Sequence, residues 1–181
     1  MAEPQRYIEV LPYDPAWPQR FETEAALLAP VFGDNLVANH HVGSTSVPGL
    51  AAKPIIDMLP EVHNIQRVDS LNDALAELGY EALGEYGIPG RRYFRKLSGH
   101  THLVHAHVFQ SDNPGFIRHI AFRDYLRAHP EQARAYGDLK LKLAQRFPHS
   151  SADYQDGKQP WIDETEQKVL QWYAKQMEHS A

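Results

Sequence analysis

The chain has 181 residues, of which 43% are hydrophobic and 23% are charged, a composition typical of a folded globular domain. Its formal net charge of −5 excludes the basic excess that an extended nucleic-acid surface needs, but not a local basic pocket for one anion. The absence of cysteine excludes disulfides, thiolate metal ligands and a cysteine nucleophile.

No stretch approaches the roughly 20 apolar residues that a membrane helix needs, and residues 1–10 lack the apolar run of a signal peptide. We therefore expect no membrane association and a cytoplasmic location. The length suits one domain spanning residues 1–181.

Short apolar runs alternate with helical spacing over the first 110 residues. Asp14 and Pro15 begin a helix as N-cap and first helical residue, and Gly33 ends it. Asn64 or Asp69 begins a second helix. Strands are predicted at 7–11, 36–42, 54–59, 80–83, 91–97 and 101–109, the last two as a hairpin.

From Pro114 onward the spacing of apolar residues is helical, with breaks near Pro130, at Pro148–Ser151 and at Gln159-Pro160. Strands alternating with helices and then a hairpin favour a mixed sheet over a doubly wound parallel one. We therefore predict an α/β fold. Residues 1–110 form a mixed sheet with flanking helices, and residues 111–181 form a C-terminal helical segment.

The loop after the second strand is rich in small hydroxyl residues. Gly43 permits a sharp turn and the close approach of a ligand to the backbone. Ser44, Thr45 and Ser46 offer hydroxyls and amide N–H groups, which form an anion site if a short helix begins there. The alternative is a structural loop whose Ser and Thr side chains only cap a helix and satisfy the backbone.

Asp57 is an isolated carboxylate in an otherwise apolar strand. A buried carboxylate is costly unless it is paired or bound to a metal. The structural alternative is a salt bridge to Lys53 or Arg91. The functional alternative is a site for a hard divalent cation such as Mg²⁺, which prefers oxygen ligands.

The segment from Val42 to Asp57, VGSTSVPGLAAKPIID, resembles the GrpB family, a branch of the nucleotidyltransferase superfamily with a DNA polymerase β-like fold. The resemblance extends from about residue 8 to residue 173, with further matching segments at 87–94, 102–109, 122–127, 136–140 and 154–158. It implies that Gly43 and Ser44 hold the phosphates of a nucleotide and that Asp57 holds a metal ion.

One position departs from the superfamily pattern. The pattern has a second Asp two residues after the first, where this chain has Leu59. Residues two apart on a strand share a face, so one metal-facing position is apolar. Phosphoryl transfer with two metal ions loses a ligand there.

The last predicted strand carries His105 and His107 on one face. The resemblance places a third carboxylate on such a later strand, and we predict that one of these histidines replaces it. Two imidazoles with Asp57 would make a metal-binding set that suits Zn²⁺, Mn²⁺ or Fe²⁺ better than Mg²⁺. The alternative is that both histidines line a cleft or bond to neighbours. His40, His41 and His100 are predicted to be surface or turn residues.

Basic residues elsewhere complete the predicted phosphate site, although each of them could instead belong to a solvated face. Arg91 and Arg92 are neighbours on a strand, so at most one of them faces the site. The candidate phosphate- and nucleotide-binding residues are Gly43, Ser44, Thr45, Ser46, Lys53, Arg91, Arg92, Arg123, Lys140, Tyr154 and Lys158.

Three functions follow from these residues. The first is an enzyme that transfers a nucleotidyl group with a divalent metal ion, Mg²⁺, Mn²⁺ or Zn²⁺, and with Asp57, His105 and His107 as catalytic and metal-binding residues. The second is a binding module that keeps a nucleotide or phosphate pocket without chemistry, which Leu59 favours. The third is a metal-dependent hydrolase on the same site. The fold by itself does not decide among them.

Overall fold

The structure, a computed structural model, describes residues 7–180. A five-stranded mixed sheet lies at its centre, in the order β1-β2-β5-β4-β3. The strands are β1 (Leu36–Val42), β2 (Ile56–Val62), β3 (Tyr80–Ala82), β4 (Arg92–Ser98) and β5 (Thr101–Gln110). β2 and β5 are parallel, and the other neighbouring pairs are antiparallel. The predicted mixed sheet and the β4–β5 hairpin are confirmed.

Five α-helices surround the sheet: α1 (Trp17–Phe32), α2 (Asn72–Glu77), α3 (Pro114–Ala128), α4 (Pro130–Arg146) and α5 (Ser151–Ser180). The first helix begins two residues later than predicted, because Oδ1 of Asp14 accepts the N–H of Ala16 at 2.8 Å in a turn that precedes the helix. Asn64 caps a 3-10 turn that leads into α2, as one of the two predicted starts.

The two faces of the sheet are covered by different helices. α1 buries Trp17, Phe21 and Leu28 against one face, where the side chains of β2 and β5 alternate inward at positions 56, 58, 104, 106 and 108. On the other face, Ile120 of α3 packs with Val42, Leu59 and Phe109. Side chains alternate along a strand, so residues 57, 105 and 107 share this second face with Leu59.

The C-terminal helices pack on one another and on the loop that follows β1. Val47 and Leu50 of that loop are buried with residues of α3, α4 and α5, among them Ala121, Tyr125 and Val169. The predicted C-terminal helical segment therefore also immobilises the loop. Within residues 7–180, no helix has both the length and the hydropathy to cross a bilayer.

Two predictions of secondary structure, a strand at residues 7–11 and a helix break at Gln159-Pro160, are wrong. Residues 7–11 do not form a strand, because the N–H of Ile8 donates to Pro148 at 2.8 Å and Leu11 makes a single isolated bridge, to Ala52. The predicted break at Gln159-Pro160 is absent, since α5 continues through Pro160. A helical proline costs about 3 kcal/mol, and packing offsets that cost here. Trp161, the next residue, stacks on Tyr136 with ring centroids 4.3 Å apart.

Candidate functional site

The turn after β1 brings the chain against β2. Gly43 has φ 71°, a left-handed conformation that favours glycine, and it leads into a 3-10 turn over Ser44–Ser46. The hydroxyl of Ser46 donates to the carbonyl of Gly43 at 2.5 Å, and its N–H donates to the same carbonyl at 3.1 Å. The turn is therefore tight, and Ser46 stabilises it from within.

His41 supports this turn from the α1 side of the sheet. It is buried rather than exposed, which corrects the predicted surface position. Its ring stacks on Phe21 at 4.9 Å, and its Nε2 lies 2.9 Å from the hydroxyl of Thr45. Burial is the main cause that lowers the pKa of His41 to about 4, so the ring is neutral at pH 7. Phe21 lies twenty residues before His41 in the chain, so this stacking left no trace in the local sequence pattern.

Two arginines of α3 hold the backbone on either side of Gly43, one at the end of β1 and one in the turn. Nη1 of Arg123 lies 3.4 Å from the carbonyl of His41, and its Nε bonds to Asp124 at 2.7 Å. Nε of Arg127 donates to the carbonyl of Ser46 at 2.9 Å. In this arrangement Arg123 contacts the loop from outside the pocket described below.

Asp57 lies beside the turn and faces two histidines. It is in register with His105 across the parallel β2–β5 pair. Oδ1 of Asp57 is 3.1 Å from Nε2 of His107 and 3.6 Å from Nδ1 of His105. Burial raises the pKa of Asp57, but hydrogen bonds and electrostatic attraction from the two histidines outweigh it and hold the pKa well below its usual range. The partners of this carboxylate are therefore histidines, and Asp57 is ionised.

A metal ion fits this site only in part. Within residues 7–180, no three His, Asp or Glu side chains are placed to hold a common metal ion. The nitrogens of His105 and His107 nearest to Asp57 are directed at its Oδ1, so the predicted three-ligand set is not assembled. Mg²⁺ commonly takes one or two carboxylates, with substrate phosphates and water completing its shell. Asp57 could supply the single protein carboxylate that such a cation needs.

A pocket of about 290 Å³ opens between the turn and the C-terminal helices. The Gly43 turn and Asp57 form one wall, with His105 beside them. α4 and α5 form the other. Polar side chains also come from α4, from α5 and from the segment just before β2. They are Lys53, Tyr136, Lys140, Tyr154, Gln155 and Lys158. Tertiary packing thus brings together seven of the eleven predicted phosphate-site residues, those at 43, 44, 45, 53, 140, 154 and 158.

Lys140 is the most unusual residue of the pocket. Its side chain is only 2% exposed, yet its Nζ has no hydrogen-bond partner within the part of the chain that the structure describes. The nearest aromatic ring is that of Tyr136, whose centroid lies 4.6 Å from Nζ. Burial and the charges of Lys158 and Lys53 lower the pKa of Lys140 well below its ordinary value.

Two further lysines share one tyrosine ring. Nζ of Lys53 lies 4.9 Å from the ring centroid of Tyr154, and Nζ of Lys158 lies 4.8 Å from it. Burial, with the charge of Lys53, lowers the pKa of Lys158 to about 8. The hydroxyl of the buried Tyr154 also lacks a hydrogen-bond partner among residues 7–180. Three amines and a hydroxyl therefore converge on one small space.

The remaining predicted residues lie elsewhere. Arg92 points away from the pocket and pairs with Asp69 at 2.5 and 3.0 Å. Arg91 faces the site side of the sheet, as expected for one of two neighbours, but it contacts His107 rather than the pocket. Tyr136, which is not among the predicted phosphate-site residues, also lines the pocket. Its position four residues before Lys140, on the same helix face, was the signal that could have identified it.

The chain is therefore a mixed α/β protein. Its sheet joins a tight Gly-Ser turn to a neighbouring carboxylate, and a C-terminal helical segment packs over both. The chain belongs to the GrpB family, since the family model described as GrpB protein matches residues 7–168.

Related proteins support the assignment. The crystal structure of the conserved protein GrpB from Enterococcus faecalis superposes with a TM-score of 0.87 and 45% identity, covering 91% of this chain and 99% of that one. YqkA of Bacillus subtilis is 44% identical over 93% of this chain, which spans 49% of that protein. The glutamate-rich protein GrpB of Alkalihalophilus pseudofirmus is 34% identical over 82% of this chain and 87% of its own length. The chain thus spans about half the length of the Bacillus relative.

Proposed function

We propose that the chain binds a phosphate-bearing ligand, such as a nucleotide, in the pocket between the Gly43 turn and the C-terminal helices. The observation that carries this proposal is the amine of Lys140. A buried amine without a hydrogen-bond partner is costly, and an anion in the pocket would favour its protonated form and supply the missing hydrogen bonds.

The charge of the pocket favours a ligand with at least two negative charges. Lys53, Lys140 and Lys158 bring three amines to the pocket, and Asp57 brings one carboxylate. With all three amines protonated the local balance is positive. A phosphate monoester or a polyphosphate is the common biological group of matching charge and size. The residues on the sheet side, Gly43 and Ser44, are those that the family resemblance assigns to nucleotide phosphates.

Transfer of a nucleotidyl group is the catalytic form of this proposal. A divalent cation held by Asp57 and the phosphates of the ligand would neutralise charge that develops on the transferring group. Asp57 is suited to this contact because it is ionised and lies in the wall of the pocket. The lysines would hold and orient the phosphates, and the turn would let them approach the backbone.

Leu59 favours a second candidate, a binding module without chemistry. Its side chain is completely buried and packs with Val42, Phe109 and Ile120. The second carboxylate that a two-metal mechanism uses is therefore replaced by part of the core. A protein that binds phosphates and reports their presence needs only the lysines and the turn.

Isothermal titration calorimetry with inorganic phosphate, pyrophosphate, triphosphate and nucleoside triphosphates tests binding. Lys140→Met should weaken the affinity about tenfold or more, because a charged hydrogen bond contributes about 1.5–3 kcal/mol. Lys142→Met, on the exposed face of the same helix, is the matched control and should leave the affinity unchanged. Absence of heat with every phosphate compound, or equal loss in both variants, would refute the proposal.

Release of pyrophosphate from nucleoside triphosphates, measured with and without Mg²⁺, Mn²⁺ and Zn²⁺, separates the two candidates. Metal-dependent release that disappears in Asp57→Asn would establish the enzyme. Tight binding with no release under any of these conditions, in the presence of a range of hydroxyl acceptors, would favour the binding module.

A further inference from the structure

Arg91 is a buried cation on the site side of the sheet. Its side chain is 5% exposed, and it makes no ion pair with a carboxylate within residues 7–180. Nη2 donates to the carbonyl of Tyr86 at 2.7 Å, and Nε donates to the carbonyl of Glu85 at 3.2 Å. Its remaining hydrogen bond is to Nδ1 of His107 at 3.3 Å. The loop of residues 85–86 therefore aims this guanidinium at one imidazole nitrogen.

The chemistry of a guanidinium fixes the direction of that bond. Arginine is a donor only, so Nδ1 of His107 must accept with its lone pair. An imidazole with a free lone pair on Nδ1 carries its proton on Nε2. Nε2 lies 3.1 Å from Oδ1 of Asp57, and an ionised carboxylate only accepts. Both bonds thus run in the same direction, from Arg91 to His107 and from His107 to Asp57.

We propose that Arg91 is a positioning residue, which fixes His107 as the tautomer with its proton on Nε2 so that this proton holds Oδ1 of Asp57. Because Oδ1 is held, Oδ2 remains on the side of Gly43, in the wall of the pocket. The orientation of Asp57, the only carboxylate that lines the pocket among residues 7–180, then depends on a residue that does not itself reach the pocket.

The same bonds remove His107 from the set of metal ligands predicted from the sequence. A histidine binds a metal ion through a nitrogen lone pair. In His107 the Nδ1 lone pair faces Arg91 and Nε2 carries the proton, so neither nitrogen offers one. This role for Arg91 and His107 stands on hydrogen-bond direction alone, and it holds whether or not the pocket binds phosphate.

Among residues 7–180, the rings that pack around His107 offer no group that would reverse the direction of these two hydrogen bonds. His119, whose ring centroid lies 5.0 Å away, places its Nδ1 2.7 Å from the carbonyl of Gly115, so that nitrogen donates. Tyr93, at 5.2 Å, presents its ring. Arg91 also lies over this ring, with the guanidinium carbon 4.8 Å from the centroid. Its position is thus fixed by aromatic packing as well as by hydrogen bonds.

Nitrogen NMR of the histidine rings in the ligand-free protein tests the proposal. In the wild type, His107 should show an unprotonated Nδ1 and a protonated Nε2. Arg91→Met should give Nδ1 a proton, as a second tautomer or as imidazolium. Arg92→Met is the matched control, because Arg92 points the other way and pairs with Asp69; it should leave the His107 signals unchanged. A protonated Nδ1 in the wild type, or signals that do not change in Arg91→Met, would overturn the proposal.

A second pair of variants keeps the proposal testable if Arg91→Met fails to fold. His107→Gln retains one acceptor for Arg91 and one donor for Asp57, whereas His107→Leu retains neither. The melting temperature of His107→Gln should stay near that of the wild type, and that of His107→Leu should fall well below it. Equal losses in the two variants would show that hydrogen-bond direction at position 107 is unimportant, and would overturn the proposal.

Discussion

The carboxylate of Asp57 lies so close to the backbone of Gly43 that a β-carbon at position 43 would fall 2.6 Å from Oδ2. Only glycine permits this approach, and Gly43 also needs its left-handed conformation at φ 71°. The two features that the sequence separates by thirteen residues are therefore one structural unit.

Gly43→Ala should displace Asp57. The loss of unfolding free energy should exceed the cost of placing an alanine in a left-handed conformation. That conformation costs a non-glycine residue about 1–2 kcal/mol. Gly49→Ala is the control, because Gly49 has φ 81° but a β-carbon added there would have no atom within 4 Å among the described residues. Urea denaturation should give a larger loss of unfolding free energy for position 43 than for position 49. Equal losses would mean that the contact with Asp57 is not restrictive.

Lys140→Met should leave the ligand-free protein as stable as the wild type or more stable. Replacing a buried amine that lacks a hydrogen-bond partner within residues 7–180 by an apolar side chain of similar length removes the cost of burying a polar group. The measurement is the urea midpoint in phosphate-free buffer, with Lys142→Met as the exposed control. A clear loss of stability in Lys140→Met would mean that the amine has a structural role in the ligand-free protein.

Phosphate affinity should fall as the pH rises through about 8, the lowered pKa of Lys158. Below that pH Lys158 is protonated and attracts the ligand; above it the charge is lost. The stability of the ligand-free protein should change in the opposite direction. Between about pH 8 and the ordinary lysine pKa of about 10.4, the unfolded chain binds more protons, so stability rises with pH.

Lys158→Arg is the variant that tests this assignment, because arginine stays charged throughout this range. It should reduce the loss of affinity above pH 8, as measured by calorimetric titration with pyrophosphate at several pH values. Lys168→Arg, on an exposed position of the same helix, should keep the wild-type pH profile. Identical profiles for all three proteins would remove Lys158 from the binding site.

Leu59→Asp should unfold the protein rather than restore a second metal ligand. Leu59 is completely buried beside Val42, Phe109 and Ile120, and a carboxylate there would have no partner. We expect the free energy of unfolding to fall by about 4 kcal/mol or more, which is exceptionally large for one substitution. Leu59→Met, which conserves volume, should cost less than about 1.5 kcal/mol. A stable Leu59→Asp protein that gains Mg²⁺ affinity would contradict the buried environment of this position.

Local patterns predicted much of the fold. The boundaries of β1 match the predicted strand because turn-forming residues flank it, Gly33-Asp34-Asn35 before Leu36 and Gly43 after Val42. The hairpin of β4 and β5 follows from a short glycine turn. Prediction failed at residues 7–11 and at Pro160, where contacts with distant segments decide the conformation. A single bridge leaves the first segment without strand pairing, and packing on Tyr136 keeps α5 continuous at the second.

The sequence by itself determined the family and the mixed sheet, and it singled out Gly43-Ser44 and Asp57 as a candidate site, because each of these is encoded in short contiguous segments. Only the tertiary structure decided which basic residues line the pocket with Asp57. Lys140 and Lys158 reach the pocket because α4 and α5 pack across the loop after β1, whereas Arg92 and Arg123 are engaged elsewhere. Helical periodicity gives the face of a residue on its own helix. Long-range packing decides which residues that face contacts. It also buries the amine of Lys140, so that the lack of a hydrogen-bond partner among residues 7–180 has a cost in free energy.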